Sequence, residues 1–157
     1  MAQPTARLAT LGSDTVRDLA AELFNRVWTL LEEPNRSADD IDTMIHAAHA
    51  SRCLWGEAGQ AANRARGEWQ CSRVYAVLGR AEPALWHARR CVALCEEHGL
   101  GDWDIGFAWE AVARAALVAG DTLGAGQALA RARELADDIA EADDREALQR
   151  DLATIAM

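Results

Sequence analysis

The chain has 157 residues, 50% hydrophobic and 26% charged, with a formal net charge of −9 and no lysine. That length suits one domain with its own core and is short for two. The acidic field repels phosphate backbones and anionic lipid surfaces, which argues against nucleic acid and membranes as partners. Without a lysine amine, a pyridoxal-phosphate Schiff base and a P-loop nucleotide site are excluded.

No stretch alternates with period two, and alanine, leucine, glutamate and arginine dominate, so the chain reads as helix throughout. Ser13-Asp14 can cap a first helix that Pro34 stops. Ser37 opens a second helix through Trp55 to Gly56, with Asp39 and Asp40 well placed in its first turn. Gln60 to Leu78 forms the third, ended by Gly79. Glu82 and Pro83 begin the fourth, which runs to "HGLGD". Asp102 is expected to cap the fifth, stopped by Gly120. Asp121 or Thr122 caps the sixth, to about Ala140. A last amphipathic helix carries Leu148, Leu152 and Ile155. Short links make sequential helices antiparallel neighbours.

The third and fourth helices repeat as the fifth and sixth, with an offset of 41 residues. Arg73 falls on Arg114, Val77 on Val118, Gly79 on Gly120, Ala84 on Ala125, Arg90 on Arg131 and Leu94 on Leu135. With Trp69, Ser72, Tyr75, Gly79, Ala84, Ala88 and Cys91 in the first unit, the chain resembles the tetratricopeptide repeat (TPR) family. The second unit fits through Trp109 (displaced by one place), Ala113, Gly120, Ala125 and Ala132, while Ala116 replaces the expected aromatic. The closing proline is missing from both units, and the 41-residue spacing exceeds the family's usual ~34. The resemblance covers residues 60–140. It implies an all-α, right-handed stack of about seven antiparallel helices: a hairpin over 13–57, repeats over 60–98 and 102–140, and a capping helix over 143–156, in one domain spanning 1–157. It also implies a concave groove for a protein or peptide, and no catalytic residue.

Two polar stripes are candidate sites. On the second helix Asp42, His46, His49 and Cys53 recur at i, i+4, i+7 and i+11. The span is roughly 16 Å along the axis, so one ion cannot meet all four. His46 and His49, as acid–base groups or metal ligands, would need partners from elsewhere, with Glu68, His87 and Glu110 as candidates. The plain alternative is that His49 packs and His46 faces water. On the third helix Asn63, Arg66, Gln70 and Arg73 line up beside Trp69. If both stripes met in one pocket, they would suit a small anionic ligand, with Tyr75 or His87 nearby. Otherwise the arginines form a solvated face.

Two functional readings follow. One is an interaction module that holds a partner in its groove, its acidic second half (8 arginines against 15 acids over residues 79–157) favouring a basic one. The other is a small enzyme or ligand binder using His46 and His49, with Asn63, Gln70 and Arg73 on the ligand. A homodimer through an outer face is also compatible. Most of the six tryptophans are expected in the core, and Glu110 with Arg114 is expected to form an intrahelical pair. No signal-peptide core and no run of 18 apolar residues appear, so the expected address is cytoplasmic. The four cysteines, Cys53, Cys71, Cys91 and Cys95, are expected to be reduced and buried.

Overall fold

The computed structural model describes residues 10–156. The segment 1–9, on which part of the signal-peptide reading rests, lies outside the described residues. Among the described residues seven helices follow one another: α1 (Ser13–Glu32), α2 (Ala38–Ala58), α3 (Ala61–Val77), α4 (Ala81–His98), α5 (Asp102–Val118), α6 (Thr122–Asp137) and α7 (Ala142–Ala153). No strand occurs among the described residues, and no described helix is long and apolar enough to cross a membrane.

The helix ends follow from local chemistry. Ser37 Oγ accepts the Asp40 N–H, and Asp40 Oδ2 accepts the Ser37 N–H, closing a reciprocal box at the start of α2. Asp121 Oδ1 accepts the Gly124 N–H at 2.9 Å and starts α6. Two expected caps are corrected. The residue before α1 is Gly12 and supplies no side-chain cap. Asp102 is the first residue of α5, in a left-handed conformation, and its Oδ1 accepts the Ala140 N–H instead. That bond ties the start of α5 to the α6–α7 connection.

The two glycine corners repeat bond for bond. Gly79 N–H donates to Ala76 O and Arg80 N–H to Tyr75 O; 41 residues on, Gly120 N–H donates to Leu117 O and Asp121 N–H to Ala116 O. Both glycines have positive φ, 69° and 76°, which a side chain rarely adopts and which this six-to-one closure requires.

Consecutive helices pack on each other, and α3 also touches α1 and α5, while α5 touches α7. The buried apolar residues form three clusters. One joins α1 and α2 to α3 through Val27, Met44 and Val74. The next joins α3 and α4 to α5 through Trp69, Ala84, Ala88 and Ala111. The last joins α5 and α6 to α7 through Ala113, Leu129 and Leu148. Each cluster hands over to the next through an odd-numbered helix, so the stack is a chain of nearest-neighbour contacts. Alanines at the interfaces let the backbones come close. Gly106 does the same between α5 and α7, because a Cβ there would meet Leu148 Cδ2 at 2.6 Å. Burial of Leu148, at 0% exposure, is worth about 1.5–3 kcal/mol to the last interface.

Two expectations about packing need revision. Cys53 is exposed, unlike the three buried cysteines, because α2 turns Met44, Ala47, Ala48 and Ser51 inward instead. Trp86 is 61% exposed rather than a wedge between helices, since α4 turns Ala84, Ala88 and Cys91 inward instead.

Candidate functional site

Helix α3 presents a different polar system on each of two faces. Glu68, Cys71 and Tyr75 look toward α2 and α4. Arg66, Trp69, Gln70 and Arg73 look toward α1, α5 and α7. Several candidates picked from the sequence belong to one of these systems; His46, Asp42, Cys53 and Asn63 lie outside both.

On the first face, His49 of α2, Cys71 and Tyr75 of α3 and His87 of α4 converge. His49 Nε2 lies 2.9 Å from the Tyr75 hydroxyl. The Tyr75 and His87 rings stack with centroids 5.8 Å apart and planes 7° off parallel, and the His49 ring meets His87 edge-on at 5.1 Å. His87 Nδ1 donates to Glu68 Oε2 at 2.6 Å, and Arg52 Nε donates to Glu68 Oε1 at 2.7 Å. Arg52 comes this close because α3 carries glycine opposite it: a Cβ on Gly67 would fall 2.7 Å from Arg52 Cδ.

The electrostatics follow from burial and these partners. Burial alone raises the Glu68 carboxyl. The His87 hydrogen bond and the Arg52 charge more than offset that, so its pKa lies below the ordinary carboxylate value. Burial lowers His49, helped by the neighbouring His87, which favours the neutral ring. Burial likewise raises Tyr75, which stays a phenol. The Cys71 thiol is pushed up to about 12 by burial and by the Glu68 charge, so it is no thiolate nucleophile in the metal-free protein. What remains is a set of donor atoms on two imidazoles and one sulfur, with His49 Nε2 shared with the Tyr75 hydroxyl.

The second face is an aromatic cavity of about 500 Å³ lined by Phe24, Trp28, Arg66, Trp69, Trp103, Phe107, Ala147, Arg150 and Asp151. Trp28 packs on Trp69 with centroids 5.4 Å apart, and Phe107 meets both Trp69 and Trp103 edge-on at 5.8 Å. Most of the charges around it pair within the fold, while Arg150 stands exposed at its edge. Arg66 grips Asp104 through Nε and Nη2, at 2.8 and 3.0 Å, and lies 4.3 Å over the Trp103 ring. Arg73 Nη2 reaches Glu110 at 3.3 Å and Asp151 at 2.5 Å. Arg114 pairs with Glu110 at 2.6 Å, as expected, and Trp69 Nε1 donates to Glu110 Oε2 at 3.1 Å. Glu110, at 0% exposure, is thus the hub beneath the cavity floor.

The sequence candidates are dispersed accordingly. His46 is exposed and lines a shallow cleft against α1 with Asp42 and Arg26, apart from the bond that engages His49. Asn63 Oδ1 accepts the Gln60 N–H at the start of α3. Gln70 is buried and donates to Phe24 O at 2.9 Å. Only Arg66 and Trp69 of their stripe line the cavity. The imidazole and guanidinium stripes do not share a pocket: His49 faces Tyr75 and His87, whereas Arg66 and Arg73 face α5 and α7. His87, named both as a co-ligand for the histidine pair and as a neighbour of the arginine stripe, belongs with His49. Cys71 was read only as packing. A signal for it lay in its spacing, since Glu68, Cys71 and Tyr75 recur at i, i+3 and i+7 on one helix face.

In comparisons with known proteins, the chain matches no protein-family model, and neither the curated proteins nor the solved structures contain a significant match.

Proposed function

We propose that the chain is a TPR-like interaction module, and that a partner peptide seats a large apolar side chain in the cavity between Trp28, Trp69, Trp103 and Phe107. The cavity carries this reading. Five aromatic side chains line a concavity of about 500 Å³, within the ~300–1,000 Å³ typical of ligand sites. Rigid aromatics give large contact area at small entropic cost, and such anchors dominate interface energies. Of the two arginines lining the cavity, Arg66 is held by Asp104 and Arg150 is exposed at the edge, so the five aromatic side chains make apolar contact the main attraction. The net charge of −9 favours cationic residues flanking the anchor.

The competing reading is a small enzyme or ligand binder with His46 and His49 as acid–base groups or metal ligands and Asn63, Gln70 and Arg73 on an anion; its anion-holding part has the weaker support. Asn63, Gln70 and Arg73 are committed to internal hydrogen bonds.

Selection from a displayed random-peptide library tests the proposal. Recovered peptides are expected to share one aromatic or long aliphatic residue. Their affinity should fall about tenfold or more for Trp103→Ala, the effect of losing an anchor worth more than ~1 kcal/mol. Binders without a shared apolar residue, or with unchanged affinity for Trp28→Ala and Trp103→Ala, overturn it.

A further inference from the structure

The geometry points to a zinc site formed by His49, Cys71 and His87, independent of the peptide cavity. One ring nitrogen from each histidine and the Cys71 sulfur lie within 4.8 Å of one another. In a tetrahedral zinc site, with metal–nitrogen bonds near 2.1 Å and metal–sulfur bonds near 2.3 Å, such atoms sit about 3.3–3.7 Å apart. Side-chain movements of about 1 Å close the difference. The ligands come from α2, α3 and α4, so the ion would pin three consecutive helices.

The surroundings suit that use. Glu68 accepts a hydrogen bond from His87 Nδ1, leaving Nε2 as the ring atom available to a ligand. Arg52 holds Glu68, and the Tyr75 ring fixes the plane of His87 by stacking. A carboxylate behind a ligating histidine is the usual device for orienting the ring and raising its basicity. The donor set also selects the metal. Two imidazoles and a thiolate suit zinc, whereas magnesium and calcium need several oxygens, and Glu68 is engaged on both of its oxygens. Three protein ligands leave the fourth position to water or a small anion.

Binding is a proton exchange. The sulfur–zinc bond forms as the Cys71 S–H bond breaks, and the proton leaves to solvent with no change of oxidation state. Affinity therefore rises with pH.

Cobalt(II) titration of the full chain, freed of metal by a chelator, is the test. One equivalent should produce thiolate-to-cobalt charge-transfer absorption together with intense tetrahedral d–d bands, and one equivalent of zinc should bleach both. Cys71→Ser should abolish the charge-transfer band, while Cys53→Ser and Cys95→Ser keep it. His87→Gln should weaken cobalt binding at least tenfold, with helical circular dichroism confirming that each variant is folded. As a positioning residue, Glu68→Gln should weaken binding by about 10–100-fold while keeping the charge-transfer band. Failure of the wild-type protein to bind cobalt or zinc stoichiometrically, or a charge-transfer band that survives Cys71→Ser, overturns the assignment.

Discussion

The two faces of α3 hold similar numbers of polar groups and use them in opposite ways. Toward α5 and α7 the charges close on themselves: Glu110 takes hydrogen bonds from Arg73, Arg114 and Trp69, and Asp104 takes both donors of Arg66. What that face offers a ligand is chiefly aromatic surface, with the exposed Arg150 at its edge and the buried Gln70 Oε1 without a hydrogen-bond partner. Toward α2 and α4 the chain Arg52–Glu68–His87 ends in unshared lone pairs beside Cys71 and His49. A satisfied network stabilises and leaves an apolar cavity, whereas an open-ended one leaves coordination chemistry. Charge content alone does not distinguish them; the closure of the hydrogen-bond network does.

The largest expected effect tests closure on the cavity side. Glu110→Gln removes the charge that faces Arg73 and Arg114, whose side chains are only 14% and 17% exposed. Breaking one partner of a buried pair costs about 3–5 kcal/mol. Asp151 still holds Arg73, and Thr154 still accepts from Arg114, which pulls the expected loss toward 3. Urea denaturation measures it; a loss below ~1 kcal/mol would make Glu110 a bystander and break the contrast.

Gly67→Ala tests the other face. Alanine gains up to about 1 kcal/mol of helix propensity. However, its Cβ would lie 2.7 Å from Arg52 Cδ and 3.3 Å from Arg52 Cα, and overpacking of that kind costs about 1–3 kcal/mol. A net loss of about 1 kcal/mol is expected, with Arg52 pushed off Glu68. Stabilisation by this substitution would show that the α2–α3 approach is looser than the contacts imply.

An effect of similar size comes from Tyr75→Phe. The His49 hydrogen bond is lost while the ring stack on His87 remains, so about 0.5–1.5 kcal/mol of stability should go in the denaturation midpoint. A loss as large as that of Glu110→Gln would mean that the open-ended cluster is as interlocked as the closed one.

The smallest expected effect is a pH limb. The folded-state pKa of His49 is below its ordinary 6.5, so the folded protein binds fewer protons than the unfolded chain just under that pH. Stability from this group is therefore complete above pH 6.5 and declines as pH falls through the lowered value. Glu68 has the same sign: its stabilisation is complete above its ordinary 4.5 and is lost as acid reaches the depressed pKa. Melting temperature against pH for metal-free protein should fall in two stages, and His49→Gln should remove the upper one. An unchanged upper stage in that variant assigns it to another group.

Some of this was legible before any coordinates. Helix count, the breaks at Pro34, Gly79 and Gly120, the Asp121 cap and the Glu110–Arg114 pair all depend on residues within a few positions of each other, and periodicity reads such relations directly. The candidate sites were legible only in pieces. His49 and His87 are legible as possible co-ligands, but Cys71 is not, because a cysteine on a helical seam reads as packing. Trp86 misled in the opposite sense: a tryptophan suggested the core, and the small-residue face of α4 occupied it instead.

By itself, the sequence determined that this chain is a run of antiparallel helices with equivalent glycine corners, because helix propensity, capping and positive-φ turns are short-range properties. Only the tertiary structure decided which faces meet. The rotation of α3 places Glu68, Cys71 and Tyr75 against His49 and His87, and sends Arg66, Trp69 and Arg73 to the opposite side. That rotation goes with close backbone approach at Gly67 of α3 and at the buried alanines of α2, α4 and α5, a long-range packing outcome that no local pattern encodes.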